Sequence, residues 1–337
     1  MKEAMLYNPL EDGKVQCILC NHRCVIPSSR RGICGVRENR EGKLYTLVYG
    51  RAISRNVDPI EKKPLFHLFP GSNSFSIATV GCNFRCLQCQ NHEISQMPKD
   101  QDGRLGGSEL SPSKIISLTK QYQCRSISYT YTEPTIYFEY AYETARQAHQ
   151  EGIKNIFVTN GYMTEEALKT IQPYLDAANV DLKSFKEKFY KDVCGAKLKP
   201  ILATLKRMKE MGIWVEVTTL VIPTLNDSDQ EFAEIAQFIL SLGAEVPWHI
   251  SAFYPTYRML NLSRTPASSL HRAREIGMKA GLRYVYCGNI PGEEGEDTFC
   301  PDCSRKVIER VGFRVTRNDV TNGECRHCHG KLDGIWD

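Results

Sequence analysis

Cysteine is the residue type whose number and spacing most clearly indicate chemistry in this chain of 337 residues. Eleven of its fourteen cysteines fall into three groups: Cys17, Cys20, Cys24 and Cys34; Cys82, Cys86 and Cys89; and Cys300, Cys303, Cys325 and Cys328. Closely spaced thiols in a reducing compartment bind metal ions or iron–sulfur clusters. The alternative is a secreted disulfide framework, which the chain length and the cysteine-poor middle disfavour. We expect the others to be small buried hydrophobic residues: Cys124, Cys194 and Cys287.

The central group has the spacing Cys-x₃-Cys-x₂-Cys. Three thiolates on one loop can hold a [4Fe–4S] cluster and leave one iron atom without a protein ligand. That open iron can chelate the amino and carboxylate groups of S-adenosylmethionine, and one electron given to the sulfonium yields a 5′-deoxyadenosyl radical. On spacing alone, a Cys₃His zinc site completed by His92 is the alternative.

The elements that must position these cysteines alternate between strands and helices from about residue 74 to 290. A helix is predicted at 198–211, with Ile201, Leu205 and Met208 on one apolar stripe. A second is predicted at 227–242, with an Asn226–Asp227 cap and a stripe made by Phe232, Ile235, Ile239 and Leu242. Such alternation predicts βαβ units in a parallel sheet, either open and doubly wound or closed into a barrel, with the chemistry at the carboxyl ends of the strands. Seven strands are predicted, at 75–80, 126–131, 155–159, 179–182, 214–220, 248–252 and 283–287.

Five sequence features together resemble the radical S-adenosylmethionine superfamily. The central cysteine motif has its spacing, and Cys89-Gln90-Asn91 is similar to the branch of pyruvate formate-lyase activating enzymes. Tyr131-Thr132-Glu133-Pro134 resembles the motif that holds the methionyl amino group. Thr159-Asn160-Gly161 and Asp181-Leu182-Lys183 resemble two motifs near the cofactor. His249 resembles a histidine near the cofactor by position.

This resemblance implies a partial (β/α)₆ TIM-type barrel at 74–290, with a cysteine-rich metal module at 1–73 and another at 291–337. It implies these cofactor-binding residues: Cys82, Cys86, Cys89, Thr132, Glu133, Asn160, Asp181, Lys183 and His249. Gln88, Val158 and the pair Tyr131 and Thr132 depart from the superfamily pattern. Taken singly, the downstream motifs are better explained by a helix cap, a turn, a loop ion pair and a core histidine, but their shared position at the carboxyl ends of strands favours the cofactor role.

The flanking cysteine groups predict two further metal sites. Two Cys-x₂-Cys turns joined by a predicted strand at 312–317 favour a closed zinc site made by Cys300, Cys303, Cys325 and Cys328, which stabilises the tail and helps to cap the substrate. For Cys17, Cys20, Cys24 and Cys34, zinc and an auxiliary iron–sulfur cluster fit equally well, and we favour zinc. Residues 291–297 are predicted to be a linker. In the loop at 62–71, Phe66 and Phe69 are predicted to pack against the barrel, with His67 incidental.

Two segments are similar to one subgroup, the radical enzyme of the AmmeMemoRadiSam system: Gly32 to Arg37 and Asp58 to Pro64. That resemblance implies Memo-like and AMMECR1-like partner proteins, and an electron donor such as flavodoxin or ferredoxin. The branch resemblance suggests instead the activation of a glycyl-radical enzyme. From a different class, the alternative is a non-catalytic zinc protein that contacts nucleic acid or protein.

Composition and charge limit the cellular setting. The formal net charge of +4 is mild. The sequence also has no evident cluster of basic residues, which disfavours nucleic acid as a partner. No apolar stretch reaches membrane-spanning length, and the first residues lack an apolar signal core. We therefore expect a cytoplasmic protein with no membrane contact.

Overall fold

Seven short strands build the N-terminal region of the computed structural model, which describes residues 1–290 and 294–336. They form two antiparallel three-stranded sheets, ordered β1-β6-β5 and β2-β3-β4, while β7 pairs elsewhere. Strands this short bury little apolar surface, so we expect the first cysteine group, which lies around their connections, to add stability by binding metal. The strands are β1 (Lys2–Glu3), β2 (Tyr7–Pro9), β3 (Val15–Cys17), β4 (Val25–Ile26), β5 (Arg37–Arg40), β6 (Lys43–Thr46) and β7 (Arg51–Ala52).

An eight-stranded sheet forms the centre of the fold. The strands that follow in the chain are β8 (Ser54–Pro59), β9 (Asn73–Ala78), β10 (Ser108–Glu109), β11 (Ser126–Tyr129), β12 (Lys154–Thr159), β13 (Ala177–Asp181), β14 (Trp214–Val221), β15 (Trp248–Ala252) and β16 (Val285–Gly288). β10 pairs with β7, and the others form one sheet in chain order, with β8 antiparallel to β9 and the rest parallel. Because each parallel strand neighbours its predecessor, the crossovers wind in one direction, as in a barrel and not in a doubly wound sheet.

Helices connect these strands along the outside of the sheet. They are α1 (His92–Ser95), α2 (Met97–Asp100), α3 (Pro112–Gln121), α4 (Phe138–Gln150), α5 (Glu165–Ile171), α6 (Glu187–Phe189), α7 (Leu198–Glu210), α8 (Asp229–Leu242) and α9 (Ala267–Ala280). A π-helical turn, Tyr190–Cys194, follows α6. The predicted stripe on α7 is confirmed, since Ile201, Leu205 and Met208 are fully buried. No helix in the described ranges combines the length and the apolar character that crossing a membrane requires.

The predicted cap of α8 is wrong by one residue. Ser228 is the N-cap, and its hydroxyl accepts a hydrogen bond from the Glu231 N–H at 3.3 Å. Asn226 is fully buried and closes the preceding loop instead, because its amide donates to the carbonyl oxygens of Lys183 and Leu220 at 2.6 and 2.9 Å. Its role is therefore to join the ends of β13 and β14.

The segment between β8 and β9, residues 60–72, closes the N-terminal end of the barrel, and we call it the plug. Its apolar residues Ile60, Leu65, Leu68 and Phe69 pack against Ile156 and Ala177. Those two residues lie near the beginnings of β12 and β13. The plug therefore fills the end of the barrel opposite the carboxyl ends of the strands.

The C-terminal module covers the plug from outside. After a 3₁₀ turn (Glu294–Glu296) it contains β17 (Thr298–Phe299), β18 (Lys306–Val311), β19 (Arg314–Asn318), β20 (Val320–Thr321) and β21 (Glu324–Cys325). Phe69 N–H donates to Ile335 O, and Ile335 N–H donates to His67 O. A module in this position lies at the opposite end of the barrel from the active-site edge, so the expectation that it caps the substrate is wrong.

Two predictions about this tail need adjustment. Of the predicted linker, residues 291–293 lie outside the described residues, and the 3₁₀ turn occupies 294–296. The predicted strand at 312–317 begins only at Arg314. Gly312 has a φ of 58° and forms the turn between β18 and β19, so it does not belong to the strand.

Each of the seven predicted parallel strands is present, with ends shifted by a few residues. The partial (β/α)₆ barrel is confirmed by the run β9 and β11 to β15, to which β16 adds a seventh parallel strand. The sequence analysis missed the edge strand β8. Of its six residues only Val57 is a large aliphatic residue, and it is 38% exposed, so no apolar periodicity marks the strand.

Candidate active site

The loop that carries Cys82, Cys86 and Cys89 follows β9 at the carboxyl end of the sheet. Backbone hydrogen bonds of 3.0 Å from Arg85 N–H to Cys194 O and from Leu87 N–H to Val193 O fasten it to the π-helical turn. The Lys99 ammonium group donates to the carbonyl oxygens of Cys82 and Phe84 at 2.8 and 2.5 Å. These contacts fix the loop through protein atoms alone, as preorganised cofactor sites require.

The three thiols lie in an environment that favours their neutral form. Burial raises the pKa of Cys82 and of Cys89, and a hydrogen bond with Cys194 together with burial raises the pKa of Cys86. The Phe84 N–H approaches the Cys82 sulfur at 3.4 Å, and the Ser95 hydroxyl lies 3.1 Å from the Cys89 sulfur. A bound metal centre would provide the positive charge that the thiolates need.

His92 is engaged away from the thiols. Its Nδ1 lies 3.2 Å from the Cys89 carbonyl oxygen, and its ring stacks on Tyr257 with centroids 4.5 Å apart. Among the residues that the structure describes, His92 and the central thiols do not form a set of ligand atoms within 4.8 Å of one another. This geometry favours a cluster over the Cys₃His zinc alternative, because one ion holds its ligands closer together.

Glu133 occupies the end of the second parallel strand, where its carboxylate is buried. Its Oε1 accepts hydrogen bonds from Thr135 N–H at 3.0 Å and from the Thr159 hydroxyl at 2.7 Å, and its Oε2 accepts one from Asn160 N–H at 2.8 Å. Burial raises the pKa of Glu133, while these hydrogen bonds act in the opposite direction. The neighbouring Thr132 is also buried, and its hydroxyl donates to the Thr79 carbonyl oxygen at 2.9 Å.

Asn160 connects the third strand to the cysteine loop. Its amide nitrogen donates to Asn83 Oδ1 at 2.8 Å, and its own Oδ1 accepts a hydrogen bond from Tyr162 N–H at 3.0 Å. Asn83 directly follows Cys82. A continuous hydrogen-bonded chain therefore runs from Glu133 through Asn160 to the first cysteine of the motif.

Asp181 and Lys183 form an ion pair of 2.7 Å at the end of the fourth strand. Burial would lower the pKa of Lys183, but the charges of the Asp181 carboxylate and the Cys86 sulfur raise it well above its usual value. Lys183 therefore places its positive charge beside the cysteine loop. Cys194 also lies here, in hydrogen-bond contact with Cys86, although the sequence analysis treated it as an ordinary buried residue.

His249 lies in a different network from the other predicted cofactor residues. Its Nε2 is 2.6 Å from Glu216 Oε2, which also accepts the Phe66 N–H at 3.0 Å. Its ring stacks on Tyr286 with centroids 5.2 Å apart. His249 thus packs beside the plug, and its contact with the cofactor stays a prediction.

His67 belongs to the same network and is not incidental. It is fully buried, with Nδ1 2.6 Å from the Asp333 carbonyl oxygen and Nε2 2.6 Å from the Tyr286 hydroxyl. The predicted packing role of Phe66 and Phe69 is confirmed, since both are buried against the barrel and the C-terminal tail.

Tyr131 links the active-site edge to the plug, a role that the sequence analysis missed. Its φ of 62° is left-handed, a conformation that favours glycine, and the similar motif of the superfamily has glycine there. The Tyr131 hydroxyl donates to Asp58, and the Lys63 ammonium group lies 4.5 Å from the centre of the ring. Lys63 also donates to Asp58 at 2.6 Å, and burial lowers the pKa of Lys63 to about 8. The segment Asp58 to Pro64, which resembles the AmmeMemoRadiSam subgroup, was the sequence feature that could have indicated this role.

Two buried polar atoms around the cysteine loop have no hydrogen-bond partner in the part of the chain that the structure describes: Asn83 Nδ2 and Gln88 Oε1. Buried polar groups are normally hydrogen-bonded, so such atoms indicate a missing ligand. A polar cofactor held against this loop would provide partners for both. The donor set, three thiols backed by an ammonium group and two orphaned amide atoms, therefore fits an iron–sulfur cluster with S-adenosylmethionine.

The four sulfur atoms of the third cysteine group lie close enough together to bind one metal ion. The sulfur atoms of Cys300 and Cys328 are 3.6 Å apart and those of Cys303 and Cys325 are 3.8 Å apart, and all four lie within 4.8 Å of one another. Tetrahedral zinc with Zn–S bonds of about 2.3 Å requires sulfur separations of about 3.8 Å. Burial acts to raise the pKa of Cys325, but hydrogen bonds from backbone N–H groups lower it to about 7. The arrangement fits a zinc ion.

The first cysteine group lies on the opposite side of the fold, against the carboxyl edge of the sheet. Cys20 forms an isolated antiparallel bridge with Met163, which follows β12. The Asn21 N–H donates to the Tyr162 carbonyl oxygen at 2.9 Å. Cys17, Cys20, Cys24 and Cys34 surround one cavity.

Comparison with known proteins agrees with this geometry. Residues 76–239 match the radical SAM superfamily. An uncharacterized protein of Methanocaldococcus jannaschii is 45% identical over 336 residues, which cover 99% of both chains. The pyruvate formate-lyase-activating enzyme of Clostridium pasteurianum is 25% identical over 171 residues, which cover 48% of this chain and 67% of that enzyme.

The fold is also found among solved structures. Streptococcus suis SuiB bound to S-adenosylmethionine aligns with a TM-score of 0.51 and 13% identity, over 68% of this chain and 53% of that one. At this identity the similarity concerns the fold alone. The superfamily match, the named activating-enzyme relative and the cysteine loop at the carboxyl edge of a partial barrel lead to one assignment. The chain belongs to the radical S-adenosylmethionine superfamily and is an enzyme of the branch related to pyruvate formate-lyase-activating enzymes.

Proposed function

We propose that this enzyme holds a [4Fe–4S] cluster on Cys82, Cys86 and Cys89 and uses it to cleave S-adenosylmethionine for hydrogen abstraction from a substrate. When bound, the cluster supplies one electron to the sulfonium, which releases methionine and a 5′-deoxyadenosyl radical. The chain itself binds and orients these groups and keeps water away from them.

One observation carries the proposal: the hydrogen-bonded chain from Glu133 through Asn160 to Asn83. Each of these residues belongs to a different βα loop, and the bonds that join them are 2.8 Å long. A chain of this kind fixes the relative position of the cysteine loop and of two loops that resemble cofactor-binding motifs. Glu133 is then available to a cationic amino group, and Asn160 to the nucleoside.

Asp181, Lys183 and Thr132 complete the proposed cofactor site. The ammonium group of Lys183 balances negative charge near Cys86, and Asp181 holds that ammonium group in place. Thr132 orients the backbone of the loop through its bond to Thr79. His249 is the remaining proposed contact, and its bond to Glu216 makes an indirect role through the plug the best supported one.

The decisive experiment is anaerobic. Reconstituted enzyme receives dithionite and S-adenosylmethionine, and 5′-deoxyadenosine is measured by liquid chromatography. We expect product from the wild type, none from Cys86→Ala, and wild-type yield from Cys124→Ala, which removes a buried thiol outside the three groups. No product from wild-type enzyme with a fully loaded cluster would contradict the proposal.

A second candidate for the reaction is activation of a partner enzyme. The name of the Clostridium pasteurianum relative describes an enzyme that activates pyruvate formate-lyase. By analogy this chain would abstract hydrogen from a polypeptide glycine. A glycyl-radical EPR signal on an added candidate partner would support this reaction, and 5′-deoxyadenosine formed without such a signal would favour another substrate.

The proposed setting is a cytoplasmic one, with reduced flavodoxin or ferredoxin as electron donor. The proposed partners are Memo-like and AMMECR1-like proteins, on the basis of the subgroup motifs. The C-terminal cysteine group is proposed to hold zinc, supported by its sulfur separations. Co-purification of either partner with the tagged enzyme, compared with a tagged control barrel, tests the partner assignment.

A further inference from the structure

We propose that Cys17, Cys20, Cys24 and Cys34 bind a second [4Fe–4S] cluster, with four thiolate ligands, and do not bind zinc. The site does not depend on the proposed function of the central loop, because its cysteines, its cavity and its counter-charge belong mostly to the N-terminal region.

The sulfur atoms of the N-terminal group lie further apart than those of the C-terminal group. In the C-terminal group the sulfur atoms approach to 3.6 and 3.8 Å, close to the separation of about 3.8 Å that tetrahedral zinc requires. In the N-terminal group, all of whose cysteines are described, any three sulfur atoms include a pair more than 4.8 Å apart. A cubane needs such spacing, because each thiolate binds a different iron atom.

The cavity between the thiols has apolar walls. All four thiols line it, together with Leu19, Ile26, Ile33 and Ile136. Such walls suit the low polarity of a core of four iron and four sulfide ions.

A buried guanidinium group at the same cavity indicates that the four thiols hold a metal centre. Arg37 is 2% exposed and lines the cavity, and its terminal nitrogens donate to Glu139 at 3.0 Å and to the Met5 carbonyl oxygen at 2.7 Å. Its Nε is buried and has no partner among the described residues. Four thiolates around a metal centre carry a net negative charge, so this N–H is a donor available to a metal-bound sulfur, and the sulfur separations favour the cubane.

The two cysteine sites are in direct contact. His22, which lines the cavity, has its Nε2 2.8 Å from the Asn83 carbonyl oxygen, and Asn83 also lines the cavity and adjoins Cys82. A Cβ atom on Gly81 would lie 3.0 Å from the Cys34 carbonyl oxygen, which shows how closely the two loops pack. One electron from a low-potential carrier protein could thus pass through the second cluster towards the central loop, with no atom transferred.

The test is a metal inventory of the full chain, purified without oxygen and reconstituted with iron and sulfide. The wild type should hold about eight iron and eight sulfide ions, two cubanes, plus about one zinc ion per chain. Cys17→Ala/Cys20→Ala should lose half of the iron and keep the zinc. The matched variant Cys300→Ala/Cys303→Ala should lose the zinc and keep all of the iron.

Spectroscopy separates this inference from the proposed function. In Cys86→Ala/Cys89→Ala, the remaining reduced cluster should give an EPR signal that S-adenosylmethionine does not alter, whereas the signal of Cys17→Ala/Cys20→Ala should change on its addition. About two zinc ions and four iron ions in the wild type would overturn the inference and leave the central site intact. Because that result concerns the unmodified chain, it does not depend on how well any variant folds.

Discussion

The two carboxylate oxygens of Glu133 accept different numbers of hydrogen bonds. From this difference we predict which oxygen binds the cofactor. Oε1 accepts bonds from the N–H and the hydroxyl of Thr135 and from the Thr159 hydroxyl, whereas among the described residues Oε2 accepts only the Asn160 N–H. An ionised carboxylate oxygen can accept at least two hydrogen bonds, so Oε2 retains a position for the amino group of the cofactor.

Glu133→Gln should weaken S-adenosylmethionine binding by about 10- to 100-fold. The substitution removes the negative charge and turns one acceptor into a donor, at a cost of about 1.5–3 kcal/mol for a charged hydrogen bond. The measurement is a titration of the reduced cluster with S-adenosylmethionine, followed by EPR. Iron content should stay unchanged, as it should in the half-exposed control Glu165→Gln. An unaltered affinity in Glu133→Gln would show that the amino group binds elsewhere.

Lys183 makes a second prediction at this scale. Its ammonium group is held by Asp181 at 2.7 Å, and its raised pKa keeps it charged beside Cys86. Lys183→Met should lower the reduction potential of the central cluster by some tens of millivolts, because the reduced cluster gains negative charge that Lys183 stabilises. Potentiometric titration monitored by EPR measures this shift. The control is Lys186→Met, which removes a half-exposed lysine paired with Glu231, and a potential equal in the two variants would refute the assignment.

At the scale of elements, the periodicity of apolar residues correctly predicted the strands and helices in which buried residues recur at regular intervals. The stripes on α7 and α8 were predicted correctly because each residue in them faces the same core. The strand β8 was missed because tertiary contacts hold it, such as the bond between Asp58 and Tyr131, which lies 73 residues further along the chain. No local pattern encodes such contacts.

The residues of the candidate site also fall into those that the sequence predicts and those that it does not. Spacing identified the three cysteine groups, and motif resemblance identified Glu133 and Asn160, because these residues are close in sequence to the strand ends that position them. Asn83 and Tyr131 were missed, since their importance comes from partners 77 and 73 residues away. Which metal each group holds could not be read from spacing, because it depends on sulfur separations that only the fold fixes.

We predict that His67, in the plug, makes the stability of the fold depend on pH. Burial lowers the pKa of His67 to about 4, whereas an unfolded histidine has a pKa of about 6.5. Between these values the unfolded chain binds more protons, so the stabilising contribution of neutral His67 is complete above pH 6.5 and is lost as pH falls towards 4. Acidification from pH 8 to 5.5 should therefore cost about 1 kcal/mol through this residue.

Denaturant unfolding at the two pH values measures that contribution. His67→Gln should be less stable than the wild type at pH 8, yet its stability should fall by about 1 kcal/mol less on acidification. The exposed control His149→Gln should keep the wild-type dependence. Equal pH dependence in His67→Gln and the wild type would show that folding does not lower the pKa of His67.

At the scale of the whole molecule, the two cysteine-rich modules lie at opposite ends of the barrel and contact different parts of it. The N-terminal module meets the cysteine loop through His22 and Asn83. The C-terminal module meets the plug through Ile335 and through Arg310, whose guanidinium group donates to the Phe66 carbonyl oxygen at 3.0 Å. The first module therefore can affect the chemistry directly, and the second acts through the plug.

Removal of metal from the C-terminal site tests this division. Cys300→Ala/Cys303→Ala should accelerate hydrogen exchange in β17 to β19 by at least about 100-fold, because a small module depends on its metal for local stability. Exchange in β11 and β12 should stay within about threefold of the wild type, and the EPR response to S-adenosylmethionine should persist. If the response disappeared while both clusters stayed loaded, the plug would have to transmit the state of the tail to the active-site edge. The Tyr131 bond to Asp58 is the contact through which that transmission would pass, and Tyr131→Phe in the same background would identify it.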